Sequence, residues 1–226
     1  YYPNPIGNNE LYSYKDQNLS IRNKLRVISS LFYRHDVYIK LDKLLSNNHY
    51  DGAIVLQFWG KLSPSVFRAL RKRSVTTALR ISDFGLICGT NTLLKNGKHS
   101  DECVTNKYAC IKNRCVSNSY SKSLINKLAQ IYFYKKYSKN INYIFTCRNT
   151  KNLFKKAGLV KNSFLIPTFY PKKFIKKTSF NSNKIIFLGR IAKDKGLHEI
   201  ISAFPDRAEI QFEIWGKGSP KYISEL

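Results

Sequence analysis

The sequence predicts an α/β fold built on a doubly wound parallel sheet, with a second domain begun near its end. Three observations predict it. Short apolar or β-branched runs, as expected of strands in a parallel sheet, recur at 53–58, 75–81, 143–147 and 184–188. Segments of helical length and spacing separate them, and strand–helix alternation implies parallel pairing. A polar, basic stretch at 168–183 (TFYPKKFIKKTSFNSN), with prolines flanking and entering it, breaks this rhythm before a fresh strand starts.

The elements follow in order. Residues 19–32 and 35–45 carry helix-like patterns. The run AIVLQF at 53–58 reads as a strand buried on both faces. Ser63-Pro64 supplies an N-cap and a first-turn proline for a helix through Val66, Phe67 and Leu70 to Arg73. VTTALRI at 75–81 is rich in β-branched residues and forms the next strand. Residues 82–118 hold Gly85, Gly89, Gly97 and four cysteines; a stretch that long without elements of its own is functional or stapled. A helix over 119–137 places Leu124, Leu128, Ile131 and Tyr132 on one face. A strand at 143–147, a helix at 150–157 stopped by Gly158, and a strand at 164–166 before Pro167 complete the first domain. The second domain begins with a strand at 184–188, a helix at 195–204 and a strand at 210–215. The expected boundaries are 1–167 for the first domain, 168–183 for the linker and 184–226 for a truncated second domain. A βαβ unit of that size is too small to bury a core alone.

The chain has 226 residues, is 43% hydrophobic and 14% aromatic, so global disorder is excluded. No apolar run reaches the roughly 18 residues that span a bilayer, and no signal-peptide pattern opens the sequence. A cytoplasmic protein is expected. The absence of methionine and the opening on Tyr1-Tyr2 lead us to expect a fragment. The formal charge is +25, which suits nucleic acid, an anionic membrane or an anionic substrate. An AT-rich coding bias toward Lys, Asn, Ile and Tyr accounts for part of it. The basic residues are scattered and form no zinc-finger, recognition-helix or RNP-type pattern, so no nucleic-acid partner is expected. A basic module for nucleic acid stays as the alternative function. Lys172, Lys173, Lys176 and Lys177, interleaved with Phe169, Tyr170, Phe174 and Phe180, suit peripheral contact with an anionic membrane at its inner face.

Cys88, Cys103, Cys110 and Cys115 fall in one segment. Four thiolates can hold one structural zinc ion tetrahedrally, although the spacing lacks a C-x2-C knuckle. Unligated thiols and disulfides are the other two readings. Cys147 ends an apolar run and is expected to be a small buried hydrophobe.

Several passages resemble family 4 glycosyltransferases, the large retaining GT-B group. They are DGAIVLQFWGKLSPSVFRAL at 51–70, ISDFGLICGTNTLL at 81–94 with Cys103, Cys110 and Cys115, residues 150–167, FLGRIAKDKG at 187–196 and WGKGSP at 215–220. Their order and spacing over most of the chain carry the resemblance. It implies an acceptor-binding first domain and a nucleotide-sugar-binding second domain. It also implies sugar transfer to a glycan or lipid-linked acceptor in surface polysaccharide biosynthesis, with no catalytic cofactor.

The resemblance implies site residues too. Gly189, Arg190 and Lys195 would grip the donor diphosphate, for which an arginine fork and a lysine charge are chemically suited. Gly216 and Gly218 would let the backbone approach the nucleotide. Ser82-Asp83 sits at the carboxyl end of a central strand, where ligands bind in open α/β sheets. Many members have His-Asp there; Ser82 can hydrogen-bond a sugar but cannot supply an imidazolium charge. Hence a non-catalytic partner of another transferase is a further alternative. The family's Glu-x7-Glu motif is not found, Glu225 standing too near the end to start it, so this chain is expected to be inactive alone.

Overall fold

The structure, a computed structural model, describes residues 21–59, 62–95, 98–169, 183–204 and 209–226. Most of the basic stretch expected as a linker, including Lys172, Lys173, Lys176 and Lys177, lies outside the described residues. The chain divides into two compact units, Tyr1–Thr168 and Phe169–Leu226.

The first unit is mixed α/β, compatible with a Rossmann-like fold. It opens with helices α1 (Ile21–Phe32) and α2 (His35–Asn47). Strand β1 (Gly52–Leu56), helix α3 (Ser65–Lys72) and strand β2 (Thr76–Ile81) follow. A long excursion holds β3 (Leu94–Lys95), β4 (Lys98–His99), α4 (Glu102–Thr105) and α5 (Ala109–Lys112). Then come α6 (Tyr120–Lys136), β5 (Asn142–Phe145), α7 (Arg148–Lys156) and β6 (Ser163–Leu165). The central sheet has the order β1-β2-β5-β6 and every pair is parallel. β3 and β4 make a small antiparallel pair.

One face of this sheet builds the core. Val55, Leu79, Ile81, Tyr143 and Phe145 are buried there in one cluster with Phe67 and Leu70 of α3, Phe133 of α6 and Phe154 of α7. Phe58, Phe67 and Phe133 form a ring triangle with centroids 4.8, 4.9 and 5.3 Å apart. Each such pair adds about 0.5–1.5 kcal/mol beyond its buried area. The register Leu56↔Arg80↔Ile144↔Phe164 lies on the opposite face, because side chains alternate along each strand. Ile54, Leu56 and Phe164 on that face are exposed. Among the described residues β1 is the edge strand of this sheet, and it is buried on one face, not on both as its apolar run suggested. Continuous hydrophobicity does not distinguish the two cases.

Ser63 anchors the start of α3. The N-cap position is Pro64 rather than the expected Ser63, which stands one residue earlier; the buried Ser63 hydroxyl accepts from Ser65 N at 3.2 Å and from Arg34 N at 3.0 Å and so ties the start of α3 to the start of α2. Asp42 of α2 accepts from Lys72 Nζ and Arg73 Nε, both at 2.8 Å, and joins the far ends of the two helices.

Helix α6 departs from expectation. Leu124 and Leu128 are exposed, whereas Ser123, Asn126, Lys127, Ala129, Gln130 and Phe133 are buried. The buried polar groups have work: the long excursion before α6 offers backbone atoms that only hydrogen bonds satisfy. Ser123 Oγ accepts from Val116 N at 3.0 Å, Gln130 Nε2 donates to the Gly85 carbonyl at 2.7 Å and Tyr134 Oη to the Leu86 carbonyl at 3.2 Å.

The second unit contains β7 (Lys184–Leu188), α8 (Leu197–Ala203), β8 (Gln211–Trp215) and α9 (Pro220–Glu225). β7 and β8 pair in parallel from Lys184↔Gln211 to Leu188↔Trp215. The expected helix at 195–204 is shorter, because Lys193–Lys195 form a single 3-10 turn and Gly196 turns left-handed (φ 70°) before α8 begins. Leu197 is fully buried, and His198 stacks on Tyr222 of α9 with Nδ1 and the hydroxyl 3.2 Å apart. Among the described residues, no helix is long and apolar enough to cross a membrane.

Candidate functional site

Three places hold the residues that carry chemistry. The first is the carboxyl end of β1 and β2. A shallow hollow there is lined by Gln57, Trp59, Arg80, Ser82, Asp83 and Leu86. Asp83 Oδ1 accepts from Gly85 N at 2.8 Å, which closes a tight turn directly after the strand. Phe84 N donates to the Asn91 carbonyl at 3.0 Å and returns the loop on itself. Asp83 is therefore held by its own loop, while Ser82 and Asp83 are both exposed. Gln57 stands in the left-handed region (φ 46°) at the strand end. The indole N–H of Trp59 is buried with no hydrogen-bond partner among the described residues. Sequence reasoning passed over both residues; the signal available for them was their position immediately after a strand. A larger hollow of about 360 Å³ opens at the other end of the sheet, lined by Arg71, Ser74, Thr76, Tyr137 and Asn142 among others. It faces the amino ends of the strands, where open α/β sheets do not bind ligands.

The second place is the cysteine loop. The expected stretch without elements instead folds into the β3–β4 hairpin and two short helices. Cys88 lies just after the first turn of the loop, Cys103 in α4 and Cys110 in α5, and all three are buried. Cys103 Sγ is 2.9 Å from Cys110 Sγ, which is 4.0 Å from Cys88 Sγ. Gly89 N donates to Cys110 Sγ at 3.2 Å, and Cys88 Sγ is 3.1 Å from Thr90 Oγ1. Hydrogen bonds from Cys103 and then Cys110 push the Cys88 thiol down, while hydrogen bonds with Cys110 and then Cys88 push the Cys103 thiol up. Cys115 is half-buried and its amide donates to the Cys110 carbonyl at 3.0 Å. Burial raises its thiol, and hydrogen bonds with Cys110 and Cys103 oppose the rise. Cys147 lies apart. It is exposed and precedes α7, with its thiol 3.1 Å from Thr150 Oγ1, so the expected buried hydrophobe is corrected. The strand before it ends at Phe145, which leaves Cys147 in the turn.

The third place belongs to the second unit. Beyond β7 and β8 the two chains stay together: Gly189 N donates to the Trp215 carbonyl at 3.0 Å and Ile191 N to the Lys217 carbonyl at 2.9 Å. A Cβ on Gly216 would overlap the Gly189 carbonyl, and one on Gly218 would lie 2.8 Å from Ile191 Cβ. These glycines are thus required by backbone contact between the two turns. Arg190, two residues past β7, is 69% exposed and holds Asp194 Oδ2 at 3.0 Å. Lys195 closes the 3-10 turn and is also exposed.

The structure brings three of the four clustered cysteines together, places Cys115 beside them, and gathers Gly189, Arg190, Gly216 and Gly218 at one strand end. No family model, curated protein or solved structure matches the chain. The functional reading therefore rests on these residues.

Proposed function

We propose that the chain is part of a retaining GT-B glycosyltransferase that moves a sugar from a nucleotide-sugar donor to a glycan or lipid-linked acceptor. The first unit would serve the acceptor and the second the donor. One observation carries the reading. The interlocked turns after β7 and β8 present the exposed Arg190 just past the carboxyl ends of two parallel strands, and the exposed Lys195 follows at the end of the 3-10 turn whose Asp194 pairs with Arg190. Ligands of open α/β sheets bind on that side.

The chemistry follows from the side chains. Arg190 offers planar, bidentate donors to phosphate oxygens, and its pairing with Asp194 leaves most of the side chain open to solvent. Lys195 adds a mobile positive charge. Together they would meet the negative charge that grows on a departing nucleoside diphosphate. Ser82 and Asp83 are exposed hydrogen-bonding groups at the carboxyl end of β2 in the first unit.

Amide chemical-shift mapping tests the assignment. UDP or GDP added to the chain should perturb Gly189, Arg190, Gly196, Gly216 and Gly218. Perturbations confined elsewhere, or none at millimolar nucleotide, would reject the donor site.

A further inference from the structure

The cysteine loop contains a site that the transferase reading does not use. Three buried thiols from separate stretches of chain converge beneath α6, one after β2 and one each in α4 and α5, and Cys115 stands in the following turn, its amide bonded to the Cys110 carbonyl at 3.0 Å. The Cys88, Cys103 and Cys110 sulfurs all lie within 4.8 Å of one another and are buried. A zinc ion with about 2.3 Å bonds to four thiolates would set its sulfurs roughly 3.8 Å apart. The Cys88–Cys110 separation of 4.0 Å is close to that spacing, and the 2.9 Å Cys103–Cys110 pair would open to receive an ion. A disulfide joins sulfurs at about 2.05 Å and engages only two of them, so it would leave the rest of the convergence unused.

The surroundings suit an anionic metal–thiolate centre. Gly89 N–H points at Cys110 Sγ, the kind of backbone donor that steadies a metal-bound sulfur. Lys127 is buried at 8% exposure, and its ammonium donates to Gln130 Oε1 at 3.2 Å. Burial pushes the Lys127 ammonium below its ordinary value, and the neighbouring Cys110, Cys103 and Cys88 oppose that shift. Four thiolates around a divalent cation leave a net double negative charge, which that lysine would offset. The loop's backbone also asks for a tie. Asn91, Leu93, Arg114, Ser117 and Asn118 all adopt positive φ, from 48° to 64°, and such residues persist only where surrounding structure over-determines them.

We propose that Cys88, Cys103, Cys110 and Cys115 hold one Zn²⁺ ion that staples the loop between β2 and α6. Binding releases the thiol protons to solvent, and the ion stays closed to substrate. The site stands independently of the transferase reading.

The test is metal content and cobalt spectroscopy on the full chain, purified under reducing conditions. One zinc per chain is expected. Cobalt exchange should give intense thiolate-to-metal charge-transfer absorption and tetrahedral visible bands. Cys103→Ser and Cys110→Ser should lose both, whereas Cys147→Ser should keep both. Should the serine variants fail to fold, chelation of the wild-type chain provides a second reading: protease cleavage within 88–118 should accelerate and zinc should reverse it. Absence of zinc together with absence of cobalt charge transfer would overturn the proposal. So would a red, iron-loaded protein, or a mass lowered by the two hydrogens of a Cys103–Cys110 disulfide. Full metal affinity in Cys115→Ser would overturn the four-thiolate assignment.

Discussion

A side chain at Gly216 would collide with the Gly189 carbonyl, whose carbon lies 2.9 Å from where that Cβ would sit. The two glycines let the chains continue together past β7 and β8. Their neighbour Arg190 owes its position to that contact. Gly216→Ala should therefore destabilise the second unit by about 1–3 kcal/mol, the usual cost of overpacking. Hydrogen exchange reads it: the Gly189 and Ile191 amides, bonded to Trp215 and Lys217 carbonyls, should lose protection together. Retained protection would mean that the turns can separate at no cost.

Gln130 links α6 to the loop after β2. Its amide donates 2.7 Å to the Gly85 carbonyl, and its oxygen accepts from Lys127 Nζ at 3.2 Å. Gln130→Leu keeps a similar size but strands both partners in a buried setting. A loss of about 1–3 kcal/mol is expected in urea denaturation. A neutral result would show that water replaces both bonds.

The Asp42 triad makes a prediction about acid. Hydrogen bonds from Arg73 and then Lys72 hold the Asp42 carboxyl below its ordinary value. Protons therefore bind the unfolded carboxyl more readily than the folded one. The contribution is complete above the unfolded value of about 3.9 and is lost as pH falls through the lower folded one. Asp42→Asn should flatten that part of the stability-versus-pH curve and leave the neutral limb parallel to wild type. An unchanged acid limb would remove the triad from the account.

Much of the fold was legible in the residues, because strand runs and helix signals such as Ser63-Pro64 act locally. What was not legible depended on neighbours distant in sequence. The run at 53–58 cannot say that β1 is an edge strand, since that depends on which strands pair beside it. The stripe of Leu124 and Leu128 pointed to the wrong face of α6, because Gln130 and Ser123 are buried for the sake of backbone groups in the loop. The four cysteines were visible as a set, yet only the folded loop shows Cys88, Cys103 and Cys110 closing on one point. Gly216 and Gly218 were read as residues that let the backbone approach a nucleotide. The structure shows that what approaches them is the chain itself, at Gly189 and Ile191.

The central claim is a diphosphate-binding turn at Arg190, and calorimetric titration of the chain with UDP and GDP tests it most directly. One of the two should bind saturably, and Arg190→Ala should weaken it by about tenfold or more, corresponding to about 1.4 kcal/mol or more for a charged hydrogen-bonding pair. Lys195→Ala should weaken it less, and uridine or guanosine without phosphates should not bind. Equal affinity in wild type and Arg190→Ala would contradict the claim, as would salt-sensitive binding to random duplex DNA that neither nucleotide displaces.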